Sequence, residues 1–282
     1  MKTTRQLKDL IRNVARDKDI NAQLLMRNYM LERLLERISL SELKDKFILK
    51  GGMLVAALVG IDMRSTMDMD ATIKGYPVTE TALREVFEKI LSVTVDDGVQ
   101  MTLTKIETIR DEDEYNGYRL TINSNLENMR VPLKVDITTG DEITPREVSY
   151  TFDLLLENRT IEILAYNIES VLAEKLETII SRGLANTRMR DFYDIHILLA
   201  TQSERIEKSV LVSAVQATAE KRGSVHLLKD GLEILNEVFG SSDSEKKWTR
   251  YQKQFVYADE ITWDEIKQAT LKLWSLMEDL FE

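Results

Sequence analysis

Over the first 46 residues apolar side chains recur at helical spacing. Leu7, Leu10, Ile11 and Val14 fall at i, i+3, i+4 and i+7, and Tyr29–Ile38 continues the period. Ser39 and Ser41 interrupt it with cap-forming residues. From Phe47 the pattern shortens to strands. Phe47-Ile-Leu-Lys runs into Gly51-Gly52, a small-residue helix is expected over Met53–Val59, and Met67–Ile73 alternates with period 2. Val99–Arg110, Gly117–Asn123 and Val131–Thr138 read as further strands, with the acidic run Asp111–Glu114 and Asn116-Gly117 forming a turn whose charges serve solubility. A strand pair follows around Tyr150–Leu164, and from Asn167 the period is helical to the end. The expected fold class is α+β: a mixed sheet flanked by helices over residues 1–165, then a mostly helical domain over 166–282.

Composition narrows the chemistry. The 282 residues include no Cys and only 2 His, which excludes thiolate nucleophiles, disulfides, zinc knuckles and iron–sulfur clusters. Any metal must be held by carboxylates, which favours a hard ion such as Mg²⁺. With 38 basic and 48 acidic residues the net charge is −10, so a surface uniformly basic toward nucleic acid is excluded. Nothing resembles a linker, a signal peptide or a membrane span, so a cytoplasmic protein with no membrane attachment is expected; the expected oligomeric state is a monomer.

Asp68 and Asp70 stand two apart among Met67, Met69 and Ala71, which places both carboxylates on one strand face. Such neighbours repel unless a cation or proton lies between them. Asp136 sits between Val135 and Ile137 in another apolar strand, where Asp is a poor strand former, and three carboxylates supply oxygens for one or two Mg²⁺ ions. Gly51-Gly52 precedes a helix whose first turn offers free N–H groups to a phosphate. Lys175 falls within the apolar arc of Ile168, Leu172, Leu176 and Ile179, so it either snorkels out or reaches an internal anion, while Glu174 and Glu177 point away. Asp191 and Asp194 share a face with Ile195 and Leu198 and follow Arg188 and Arg190, a pattern suited to a polar site; His196 lies opposite and is structural.

Four blocks in this order resemble the AbiEii/AbiGii toxin family: Phe47-Ile-Leu-Lys-Gly-Gly, Arg64-Ser-Thr-Met-Asp-Met-Asp, Glu169-Ser-Val-Leu-Ala-Glu-Lys-Leu-Glu and Arg188-Met-Arg-Asp-Phe-Tyr-Asp-Ile. The likeness covers most of the chain and implies a nucleotidyltransferase-like toxin of bacterial phage-defence, abortive-infection and toxin–antitoxin systems. It implies that Gly51 and Gly52 approach the triphosphate of an NTP, that Asp68 and Asp70 bind Mg²⁺ with Asp136 as third carboxylate, and that Lys175 meets nucleotide phosphates. Asp191 and Asp194 complete the last motif, Arg64 and Thr66 match positions before the acidic pair, and Arg188 and Arg190 join the nucleotide-binding set. One departure is Met53, where many nucleotidyltransferases have Ser after the glycine. The implied reaction transfers a nucleoside monophosphate to an acceptor, with the 3′ end of tRNA favoured and a cognate antitoxin encoded nearby. A small molecule or a protein hydroxyl as acceptor, and a non-catalytic nucleotide-binding module, are the competing expectations. Basic residues near aromatics, Lys246, Lys247, Trp248, Arg250, Tyr251 and Lys253, suit either RNA contact or a core stripe with solvated lysines, and Arg182–Arg190 is a second basic stretch.

Overall fold

The computed structural model describes residues 3–75, 79–110 and 116–277. They form two compact units, one comprising the chain up to Asp141 with Val148–Ala165, the other Glu142–Glu147 with Tyr166 onward.

The first unit runs α1 (Thr4–Asp17), α2 (Ala22–Ser39), β1 (Phe47–Lys50), α3 (Gly51–Val59), β2 (Met69–Ile73), α4 (Glu80–Ser92), β3 (Gln100–Arg110), β4 (Asn116–Leu126), β5 (Met129–Thr138), β6 (Val148–Asp153) and β7 (Thr160–Ala165). The mixed sheet has the order β3-β4-β5-β2-β1-β7-β6, with β2/β5 and β1/β7 parallel and the other pairs antiparallel. Helix α4 was not among the expected elements, although Leu83, Val86, Phe87 and Ile90 carry a helical period and Thr79 caps it. The expected turn at Asp111–Tyr115 lies outside the described residues.

Register separates the two faces of the central strands. Tyr118, Ile137, Ala71 and Leu49 form one cross-strand row and Leu120, Val135 and Met69 another, both on the apolar face. The intervening row, on the opposite face, is Arg119–Asp136–Asp70–Lys50. The apolar face therefore fixes the register, and the register brings four charged residues from four strands into line.

Helix α2 is buried nearly all round, including Glu32, Arg33, Glu36 and Arg37. Arg37 forks onto Asp97 at 2.7 and 3.0 Å and donates to the Val99 carbonyl. Arg33 bridges Glu36 and Glu157, and Arg159 forks onto Glu36. Glu32 accepts from the Leu155 amide. Burial pushes the Glu32 carboxyl up to about 8, against that amide and Arg33, which lower it. Between the ordinary carboxyl range and that value the folded state holds a proton the unfolded chain has released, so stability falls as pH rises through this window. Glu32→Gln keeps an acceptor for Leu155 and removes the titration. Its melting temperature is expected to exceed wild type by roughly 2–5 °C at pH 8.5 and to match it near pH 5, read by circular dichroism.

The second unit is helical: α5 (Ile168–Arg182), α6 (Met189–Gln202), α7 (Lys208–Lys221), α8 (Val225–Leu228), α9 (Gly231–Gly240), α10 (Ser242–Gln254) and α11 (Trp263–Ser275). Helix α6 is buried on most sides and packs on α5, α10 and α11. Phe192 meets Phe239 and Trp263, while Tyr193 meets Tyr251 and Tyr257. Trp248 is 1 % exposed, stacks on Tyr251 and donates to the Ile261 carbonyl. The aromatics of this stretch are thus core residues; Lys246, Arg250 and Lys253 remain exposed beside them, and Lys247 pairs with Asp243. Glu177, expected to point away, is buried because Arg222 and Ser224 reach it from the end of α7 and the turn after it.

Candidate active site

In the first unit the site is built around the β1–α3 junction. Strand β1 passes directly into α3, and Gly51 adopts φ +64° at the turn. A Cβ on Gly51 would stand 2.3 Å from Oδ2 of Asp70, and one on Gly52 would stand 2.9 Å from Oγ1 of Thr66 and 3.3 Å from the Arg64 guanidinium. The glycine pair is therefore required twice over, for a left-handed backbone and for the close approach of the segment leading into β2. Arg64 is buried and donates to the Ser65 carbonyl; Thr66 donates to the Asp68 carbonyl at 3.1 Å. Lys50, at the N-cap of α3, makes no side-chain cap bond, and the first turn carries no acidic residue. The first-turn N–H groups and the positive end of the helix dipole suit a phosphate.

Gly51, Gly52, Arg64, Thr66 and Asp70 are brought together by these contacts. Strand β2 starts at Met69, so Asp68 lies one residue before the strand rather than within it. Asp136 is the register partner of Asp70 and accepts a fork from Arg119, Nε to Oδ1 at 2.8 Å and a terminal nitrogen to Oδ2 at 2.6 Å. The bond to Asp136 is the main cause that raises the pKa of the Arg119 guanidinium, with smaller contributions from the charges of Asp136, Asp68 and Asp70. Lys50 ends the row; its ammonium bonds Asp141 at 2.5 Å, and Thr138 donates to the same carboxylate at 2.6 Å. Lys50, Arg119 and Asp141 were not anticipated from sequence. Only the position of Lys50, directly before the glycine pair, offers a local signal; Arg119 and Asp141 are placed by strand pairing.

The donor set bears on the metal. Carboxylates are the donor type a hard divalent cation such as Mg²⁺ takes, its shell being completed with water and phosphate oxygens. Each oxygen of Asp136 accepts one bond from Arg119, and among the described residues no group of three or more His, Cys, Asp or Glu stands arranged to hold an ion.

In the second unit, Lys175 is held between Asp191, at 2.7 Å, and Asp194, at 2.9 Å. Its side chain is 13 % exposed and those of the acids 2 % and 0 %. Burial opposes the Lys175 charge, but the two carboxylates outweigh it and hold the ammonium above its ordinary range. Of the two readings open for this lysine, snorkelling outward or reaching an internal anion, the two carboxylates fit the second. Arg188 lies 3.3 Å from Asp191, its side chain partly exposed, and Arg190 is exposed. His196 is half-buried, and desolvation lowers its pKa despite nearby Glu265.

Gly51→Ala is expected to displace the Asp70 carboxylate and strain the turn, lowering activity at this site about 10²-fold. Gly52→Ala meets two side chains that can yield, and its loss is expected to be roughly tenfold. Steady-state kinetics on the pair checks the order.

No helix among the described residues is long and apolar enough to cross a membrane. Comparison with curated protein sequences returned no match. The fold is similar to that of a candidate nucleotidyltransferase from Helicobacter pylori, at TM-score 0.54 and 15% identity over 93% of this chain and 96% of that one. It is also similar to JHP933 from Helicobacter pylori, at TM-score 0.52 and 15% identity over 93% of each chain. The family model for the nucleotidyl transferase AbiEii toxin of type IV toxin–antitoxin systems matches residues 33–269. With its glycine pair packed against an acidic strand entry and its sheet of the nucleotidyltransferase kind, the chain belongs to the AbiEii family of nucleotidyltransferase toxins.

Proposed function

We propose that this toxin transfers a nucleoside monophosphate from an NTP to an RNA hydroxyl, with the 3′ end of tRNA the favoured acceptor, in the cytoplasm and against a cognate antitoxin. The observation that carries the chemistry is the meeting of Gly51, Gly52, Arg64 and Thr66 with Asp70, which sets a backbone cradle for phosphate beside an acidic pair. In the reaction a bond forms between the acceptor oxygen and the α-phosphorus. The bond from that phosphorus to the β-bridging oxygen breaks, pyrophosphate leaves, and the acceptor proton passes to solvent. The N–H groups at the start of α3 and the Arg64 guanidinium take up phosphate charge. Asp68 and Asp70 hold a divalent cation; when bound, Mg²⁺ supplies charge neutralisation and favours the deprotonated acceptor. Positioning and charge placement carry such transfers, so few dedicated acids or bases are needed.

In the second unit the Lys175 ammonium gives two of its three hydrogens to Asp191 and Asp194 and keeps the third for a phosphate oxygen. The partly exposed Arg182 and Arg188 and the exposed Arg190 suit the backbone of an RNA acceptor. Incubation with each α-labelled NTP, Mg²⁺ and total tRNA is expected to label tRNA, and Asp68→Ala to abolish the label. Label on protein or on small molecules alone would overturn the RNA acceptor. Growth arrest on expression, lost in Asp68→Ala and relieved by a neighbouring gene product, tests the toxin role.

A further inference from the structure

The stretch that delivers Asp68, from Arg64 to Asp68 itself, belongs to no helix or strand. Side chains meet its carbonyls. Arg64 donates to the Ser65 carbonyl, Thr66 Oγ1 to that of Asp68 at 3.1 Å, and Asn28 Nδ2 to that of Thr66 at 2.7 Å. The first two bonds are internal to the stretch, so they shape it without setting where it lies. The third comes from α2, where Asn28 is 4 % exposed among Leu25, Met26, Tyr29 and Met30. Asn is a poorer helix former than the Leu and Met around it, and burying its amide costs free energy unless the amide is bonded. The residue is therefore explained by its bonds rather than by the helix. Its amide also donates to the Leu24 carbonyl at 2.9 Å, one turn back, which holds the side chain in place. The preceding residue, Arg27, donates to Met67 Sδ at 3.4 Å, so two successive residues of α2 grip two successive residues ahead of Asp68. On its other side Thr66 meets the close approach at Gly52.

We propose that Asn28 is a positioning residue for the transfer site: anchored on α2, it sets the place of Thr66 and thereby aims the Asp68 carboxylate two residues on. The inference rests on the transfer reaction proposed above and adds a residue that acts through Asp68 rather than on the nucleotide. Without the bond the Thr66 carbonyl turns to water and the stretch before β2 is free to shift. A displacement of about 1 Å at a reacting group is enough to cost roughly 10²-fold in rate. Asn28→Asp isolates the donor, since it keeps the shape of the side chain but, ionised, sets an oxygen against the Thr66 carbonyl.

The test compares wild type, Asn28→Ala and Asn28→Asp at a temperature where circular dichroism shows the variants folded. Two quantities are read: kcat and KM for the NTP, and the Kd of Mn²⁺ alone from free Mn²⁺ by electron paramagnetic resonance. In both variants kcat is expected to fall about 30-fold with KM changed by less than about threefold. The Mn²⁺ Kd is expected to weaken about tenfold, as when a group that orients a metal ligand is removed, and a role confined to stability would not move it in folded protein. Wild-type kcat in a folded variant, a loss carried by KM alone, or an unchanged Mn²⁺ Kd overturns the proposal and leaves the reaction standing, because wild type still transfers. Failure of both variants to fold assigns Asn28 to the fold and overturns it as well. A wild type that transfers from no NTP, or that binds no Mn²⁺, removes the role given to Asp68 and the proposal with it.

Discussion

Asp68→Asn is expected to lower nucleotide transfer by about 10³-fold while moving the melting temperature by less than roughly 2 °C. The size of the effect follows from the charge it removes. A carboxylate that holds a divalent ion beside a triphosphate stabilises developing charge by several kcal/mol, and each 1.4 kcal/mol is about tenfold in rate. The small effect on stability follows from position. Asp68 lies before β2, is half-buried, and the bond recorded at this residue is from Thr66 to its backbone carbonyl, which Asn retains. A large loss of stability would show that Asp68 serves the fold. Normal transfer by a folded variant would remove it from the site.

Lys175→Met is expected to destabilise the helical unit by about 3–5 kcal/mol, because it strands Asp191 and Asp194 without their cation in a region from which water is excluded. The deficit should depend on pH. Without Lys175, burial and mutual repulsion push the two carboxyls up, and the folded variant takes up a proton that the unfolded chain does not. Its stability therefore rises as pH falls from 8 to 6. In wild type the Lys175 pKa is raised, so its contribution is complete below the ordinary lysine range and is lost only as pH climbs through the folded value; this group adds no slope between pH 6 and 8. All three tryptophans, Trp248, Trp263 and Trp274, lie in the helical unit, so fluorescence during urea unfolding reports it selectively. Adding Asp194→Asn to Lys175→Met should restore part of the loss. An unchanged denaturation midpoint in Lys175→Met would show that the acids are hydrated rather than buried.

What could be read from the chain depended on how far apart the interacting residues lie in sequence. The sheet with flanking helices was legible from period-2 runs between helical stretches. Gly51, Gly52, Arg64, Thr66, Asp68 and Asp70 fall within 20 residues, and the glycine pair by itself signals a close backbone approach at the start of a helix. Arg119 was not legible, since its place beside Asp136 depends on the register of two strands joined by a turn, which the alternation of one strand does not specify. Glu177 looked solvent-facing on its own helix and is buried because Arg222, 45 residues later, comes to meet it. The Trp248–Phe255 stripe admitted two readings with the same spacing; packing of Tyr193 and Trp263 against it decided for the core. In each case the missing information was the partner, not the propensity of the residue itself.

In the proposed reaction the acidic pair directs attack at the α-phosphorus of an NTP. Parallel reactions with α-labelled and γ-labelled nucleotide, with pyrophosphate release followed in the same tubes, test it most directly. Acceptor label is expected only from the α-labelled nucleotide, with one pyrophosphate per label incorporated and neither signal in Asp68→Asn. Acceptor label from the γ-labelled nucleotide, or labelling that survives in Asp68→Asn, would contradict it.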